Sequence, residues 1–166
     1  MHIRFMLMQV IAKWVEMTDI SEIVFNKKVR FEYTVEEELE AGLALQGWEV
    51  KSLRMGKVNI SDAYVILRHQ EAYLLGARID PLQTAAAHLM PDAARTRKLL
   101  LKRRELAHLI GCVERSGYTL VPVSLYWKKN HIKMRLAVVK GKKTYDKRET
   151  IKDREWQRQQ ARLFKR

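Results

Sequence analysis

Two alternating apolar runs, Val121, Val123, Leu125, Trp127 and then Ile132, Met134, Leu136, Val138, flank a basic turn of Lys128, Lys129 and Asn130. A period of two places each run on one face of a strand, and the short polar link makes the pair an antiparallel hairpin. Pro122 marks an edge or a bulge within the first strand, because proline cannot donate to a ladder. A chain built around such a hairpin has to close or cover its remaining strand edges.

Further strands are expected around it. Val29, Phe31, Tyr33 and Val35 alternate with Arg30, Glu32 and Thr34 and predict a half-buried strand. Thr34 with Glu37 three residues on has the form of a capping box, so a helix is expected to open there, carry Leu39 and Leu43 inward and stop near Gly47. Glu36, Glu37 and Glu38 then suit its positive end. Trp48 to Arg54 reads as a second strand, followed by a turn at Met55, Gly56 and Lys57. Tyr64–Arg68 and Glu71–Ala77 predict a hairpin through His69 and Gln70, although that pair is not the Asn-Gly chemistry that tight hairpins favour. Asp80 to Arg97 contains Pro81 and Pro91 and has no clean period, as in a functional connection. Leu106, Leu109, Ile110 and Val113 keep helical spacing, so Lys102 to Arg115 is an amphipathic helix ending at Gly117. About six short strands with two or three short helices describe a mainly β chain, an OB-like antiparallel barrel.

The 166 residues carry a net charge of +13, and 47% of them are hydrophobic, enough for one core. Lys140 to Arg166 holds eleven Lys or Arg against four Asp or Glu. Its few apolar residues cannot offset the entropy of ordering it, so this tail is expected to be disordered when free and to order on a polyanion. Each basic group set against a phosphate releases condensed counterion, which makes nucleic acid the expected partner. A membrane surface is disfavoured, since the tail lacks a wide apolar face. Arg154, Arg158 and Arg162 recur every four residues, and Tyr145 and Trp156 offer stacking surfaces.

The chemistry of catalysis is sparse. His108 and Cys112 lie four apart on one helix face without a second ligand pair of matching spacing, which argues against zinc. No phosphate-binding loop occurs, and GKK at Gly141 is only a fragment of one. No enzyme, cofactor, metal or small-molecule substrate is expected. The single Cys112 rules out an internal disulfide and suits a reducing compartment, hence the cytoplasm. The apolar run Phe5 to Ala12 is too short to span a bilayer and lacks a cleavage site. Residues 1–25 are read as a short helix or as a start assigned upstream of Met17, with no function attached.

NKKVRFEY from Asn26, EEELEAGLALQGWEVKSLRMGKVNISDAYV from Glu36, RTRKLLLKRREL from Arg95 and KGKKTYDKRETIKDREW from Lys140 closely resemble small protein B, the SsrA-binding family of bacterial trans-translation. The resemblance covers Asn26 to Arg166, and the apolar leader departs from the family's polar, basic one. It implies an OB-like barrel, residues 26–139, that holds the tRNA-like domain of transfer-messenger RNA. It also implies a tail, 140–166, that turns helical in the empty mRNA channel of a stalled ribosome, with the protein acting as a monomer.

Carried onto this chain, the resemblance assigns RNA contacts to Glu40 and Leu100, with Lys102 close by. Arg54, Lys57, Arg95, Arg97 and Lys98 are expected at backbone phosphates on charge alone. The decoding-centre segment maps to Gly141, Lys142, Lys143, Tyr145, Asp146, Lys147 and Arg148. Tyr145 stands where many relatives have His, which keeps stacking and loses a protonatable ring. The channel segment maps to Ile151, Arg154, Trp156, Arg158, Arg162 and Leu163. The rival readings are a general OB-type RNA-binding protein without a ribosomal role, and a nuclease using Glu36, Glu37, Glu38 and Asp62.

Overall fold

The computed structural model describes residues 20–82, 91–142 and 156. Its elements in chain order are β1 (Ile20–Phe25), α1 (Lys27–Glu32), β2 (Tyr33–Leu43), α2 (Gly47–Arg54), β3 (Val58–Asn59), β4 (Tyr64–Arg68) and β5 (Glu71–Leu75). There follow β6 (Arg78–Ile79), β7 (Arg97–Leu100), α3 (Arg103–Ser116), β8 (Thr119–Lys128) and β9 (His131–Gly141). The N-terminal run Phe5 to Ala12 and residues 83–90 of the long connection lie outside the described residues.

β8 and β9 form the expected hairpin, in register from Lys128 opposite His131 to Thr119 opposite Val139. Lys129 and Asn130 turn it with φ of 48° and 63°. Two left-handed residues in succession match the twist of the flanking strands, as a type I′ turn requires. His69 and Gln70 do the same between β4 and β5, with φ of 50° and 56°, without Asn-Gly.

β2 pairs with the other edge of β9, β7 with β2, β5 with β7, β4 with β5, and β4 returns to β8 at Val65 opposite Leu120. The ring β8–β4–β5–β7–β2–β9 therefore closes with six strands. β1 lies along β8 beyond β4, from Phe25 opposite Ser124 to Ile20 opposite Lys128. The sheet thus begins at Ile20, ahead of the boundary expected at residue 26, and ends at Gly141.

Inside the ring sit Leu74, Leu120, Leu125, Met134 and Leu136, all nearly solvent-free, with Leu53 of α2 and Leu109 of α3 packed against the core. A second small core of Val29, Val121, Val123, Ala137 and Val139 lies on the other face of the hairpin. The β8 bulge between Pro122 and Ser124 explains the division. The extra residue reverses the alternation, so Val121 and Val123 face the small core while Leu125 turns into the barrel. The expectation that these residues share one face is corrected accordingly.

Three local expectations between Asn26 and Arg54 are also corrected. Residues 27–32 are the helix α1, because the Asn26 side chain accepts from the Lys28 N–H at 3.1 Å and caps it. Asn26 is itself buried and donates to the Ile60 carbonyl at 3.0 Å, tying α1 to the barrel. Residues 34–43 are strand, not helix: β2 pairs with β9 from Tyr33 to Gly42, and those ladder bonds outweigh a local cap at Thr34. WEVKSLR is helix, since the Glu49 carboxylate returns to the Gln46 N–H at 2.7 Å and Glu49, Ser52 and Leu53 form its buried face.

Gly76 follows β5 with φ of 71°, and a Cβ there would meet the Asp62 carbonyl oxygen at 2.8 Å. Gly76→Ala is expected to cost about 2 kcal/mol or more from left-handed strain plus that clash. Urea denaturation measures it, and an unchanged midpoint would contradict the steric argument.

Candidate nucleic-acid interface

The period of two in β2 sends Leu39, Ala41 and Leu43 into the core and leaves Glu38, Glu40 and Gly42 on the outer face. Glu40 stands opposite Arg135 of β9, and Gly42 opposite Lys133. Glu40 Oε2 accepts from the Tyr126 hydroxyl at 2.7 Å and from Lys128 Nζ at 2.9 Å, while Lys133 Nζ lies 3.8 Å from Oε1. Partial burial pushes this carboxyl up, but the bonds from Lys128 and Tyr126 outweigh it and hold Glu40 below the usual carboxylate range. Burial, and then the bond to Glu40, raise the Tyr126 phenol well above its ordinary value. Glu40 is therefore an ionised acceptor at neutral pH, with Oε1 the less engaged oxygen and turned towards cations.

Beside it runs a groove of ≈ 290 Å³ whose lining includes Gly42, Leu45, Val50, Leu100, Trp127 and Lys133. Leu100 is 56% exposed, a large apolar side chain held in water. It packs over Gly42, where an added Cβ would come within 3.2 Å of the Leu100 Cβ. The Arg54 guanidinium lies 5.7 Å from the Trp127 ring centroid, a cation–π contact beside the same groove. Glu40, Leu100 and Arg54 thus come together around one surface. It pairs an apolar shelf and a stacked aromatic with cations and one hydrogen-bond acceptor, the mixture that base and phosphate recognition uses. Tyr126, Lys128 and Lys133 belong to this surface but are absent from the sequence-derived assignment. The outward phase of Lys133 was readable from its place between Ile132 and Met134. Its position beside Glu40 depends on β2 being a strand.

The phosphate role expected of Arg97 is corrected, because its side chain is fully buried. Arg97 Nε donates to Glu49 Oε1 at 2.7 Å, and its terminal nitrogens donate to the carbonyls of Ala77 at 2.6 Å, Arg95 at 2.9 Å and Ala93 at 2.9 Å. Arg95 adds its own bonds to both Glu49 oxygens and to the Ala44 carbonyl. Burial raises the Glu49 carboxyl, but bonds from Arg95, the Gln46 N–H and Arg97 bring it below its ordinary value. Burial lowers the Arg97 guanidinium, against the pull of Glu49. This network clamps α2 to β7 from within. Lys98 is ion-paired with Glu71, to which the Tyr73 hydroxyl also donates at 2.5 Å. Lys57 and Lys102 are exposed, the latter just ahead of α3.

Glu37, Glu38 and Asp62 do not converge. Glu37 meets His108 at 2.7 Å, Glu38 meets Arg135 at 3.6 Å, and Asp62 meets Lys28 at 2.6 Å. The Cys112 sulfur lies 3.7 Å from His108 Nε2. Among the described residues no group of three His, Cys, Asp or Glu is arranged to hold a metal, and no helix is long and apolar enough to cross a membrane.

Where the tail leaves the barrel, Gly141 pairs with Tyr33, the Lys142 N–H donates to the Glu32 carbonyl at 3.0 Å, and Lys142 Nζ donates to the Arg30 carbonyl at 3.1 Å. Lys143, Tyr145, Asp146, Lys147, Arg148, Ile151, Arg154, Arg158, Arg162 and Leu163 lie outside the described residues. Trp156 is helical and exposed.

Residues 23–166 match the family model described as SmpB protein. Among solved structures the chain is similar to one from "tmRNA-SmpB: a journey to the center of the bacterial ribosome", at 38% identity and a TM-score of 0.61 over 76% of this chain and 86% of that one. The family match runs unbroken from the barrel through the basic tail, and the chain belongs to the SmpB family.

Proposed function

We propose that the protein binds the tRNA-like domain of transfer-messenger RNA through the outer face of β2, β7 and β9 and delivers it to stalled ribosomes for trans-translation. Its tail then acts at the decoding centre and along the empty mRNA channel. The observation that carries this reading is the single family match over barrel and tail together, residues 23–166. In this reading the protein is an adaptor, works by binding rather than by bond chemistry, and acts in the cytoplasm where ribosomes translate. Gly141 to Arg148 form the decoding-region contact, and Ile151 to Leu163 supply the channel contacts. Purifying the tagged protein from cells and sequencing the RNA bound to it tests the reading. Enrichment of one transfer-messenger RNA is expected, and an even spread over structured RNAs would refute it.

Glu40 supplies a finer test. Removing a carboxylate from among Lys128, Lys133 and Arg135 leaves more unbalanced positive charge, which favours any RNA. Glu40→Ala is therefore expected to weaken binding of the tRNA-like domain about tenfold while leaving unrelated hairpin RNA unchanged or tighter. Filter binding at physiological salt measures both. Equal shifts for the two RNAs would mean that Glu40 serves only the barrel.

A further inference from the structure

A second groove, of ≈ 510 Å³, runs between the tip of the β4–β5 hairpin and α3. Leu67, Leu106 and Ile110 line it together with Arg68, His69 and Arg103, and Glu114 is its one carboxylate. Arg68 and Arg103 are exposed and have no salt-bridge partner among the described residues. Nearby cations are paired differently, as Lys98 is with Glu71 and Lys128 with Glu40. Arg103 occupies the first turn of α3, where a positive charge opposes the helix dipole. It therefore gains little from its own helix and remains available to an external anion.

The groove neighbours the surface around Glu40. Arg103 and Leu106 also line an intervening hollow that contains Lys98 and Leu100. Leu100 in turn lines the groove that holds Gly42 and Lys133. Shared lining residues thus link three neighbouring hollows from Lys133 past Leu100 to Arg68. A bound helix would need an apolar floor several turns long and flanked by anchors along it. A short apolar stretch beside two guanidiniums that have no salt-bridge partner among the described residues suits a sugar–phosphate strand, with a base or ribose lying on aliphatic surface.

We propose that this groove continues the RNA-binding surface, with Arg68 and Arg103 holding backbone phosphates of the same RNA that Glu40 and Leu100 engage. The assignment rests on the RNA-binding reading above and extends it to residues outside the family-derived set. Each phosphate contact adds close to one unit to the salt dependence of binding.

The Arg68→Gln/Arg103→Gln variant is compared with Lys27→Gln/Arg115→Gln, which removes the same charge from exposed sites outside this groove. Affinity of the full chain for the tRNA-like domain is measured across a salt series. The groove variant is expected to lose about two units of the log–log salt slope and roughly tenfold in affinity at physiological salt, while the control keeps its slope. Unchanged thermal unfolding shows that both variants are folded. Equal losses in both would mean diffuse charge only, and an unchanged slope in the groove variant would mean no phosphate there; either overturns the proposal. Unchanged RNA affinity with lost ribosome binding would assign the groove to a different partner and also overturn it. Failure of the underlying reading looks different, because the wild-type chain would then bind unrelated hairpin RNA as tightly as the tRNA-like domain.

Discussion

Replacing Glu49 with alanine is expected to destabilise the barrel by about 3–5 kcal/mol, a fall in Tm of roughly 10 °C or more for a chain of this size. The carboxylate is fully buried and meets the guanidiniums of Arg95 and Arg97 and the Gln46 N–H. Its removal leaves Arg97 as a buried cation without an anion, and the helix start loses its cap. Differential scanning calorimetry measures the loss, and a shift of only a degree or two would mean that water reaches Arg97. Removing the pair together with Arg97→Met is not expected to restore the wild-type value. Arg97 also satisfies the carbonyls of Ala77, Ala93 and Arg95, which a thioether leaves bare. The acid limb follows from the same site. Because the folded-state pKa of Glu49 lies below its unfolded value, its contribution is complete above the usual glutamate pKa of about 4.3 and is lost as pH falls through the folded value.

The second large effect is functional. Ending the chain after Asp146 is expected to leave affinity for the tRNA-like domain within a few-fold of wild type at physiological salt and to abolish peptide tagging on stalled ribosomes. The surface around Glu40 and Leu100 is built entirely from β2, α2 and β7 to β9, and the last barrel strand ends at Gly141, so truncation removes none of it. What it removes is a basic segment whose attraction to RNA is largely screened at that ionic strength. Electrophoretic mobility shift and an in vitro tagging reaction give the two readouts. Loss of RNA binding on truncation would overturn the division of labour between barrel and tail.

Legibility in the sequence followed how local each signal was. The β8–β9 and β4–β5 hairpins and α3 could be read from period and turn position, because neighbouring residues supply their pattern. The stretch from Asn26 to Arg54 could not. Thr34 with Glu37 resembles a helix start, yet β2 is decided by its pairing with β9, a hundred residues on in the chain. The real cap is Gln46 with Glu49, hidden because Trp48 to Arg54 also alternates as a strand would. The same non-locality limited the site. Glu40 and Leu100 came from family resemblance, whereas Lys133 and Tyr126 join them only through the β2–β9–β8 register. Arg97 shows the complementary failure: charge in a sequence does not distinguish a phosphate ligand from a cation sealed against a buried carboxylate.

The eleven-residue strand β2 has a mechanical consequence. Gly42 opposite Lys133 lies at the end nearest the proposed RNA surface, and Tyr33 opposite Gly141 marks the end where the tail departs. At about 3.3 Å per residue the two ends stand some 30 Å apart along the strand. With Lys142 bonded to α1 at the far end, the barrel holds the root of the tail at a fixed spacing from the proposed RNA surface. The point from which the tail departs is thus set by the length of one strand.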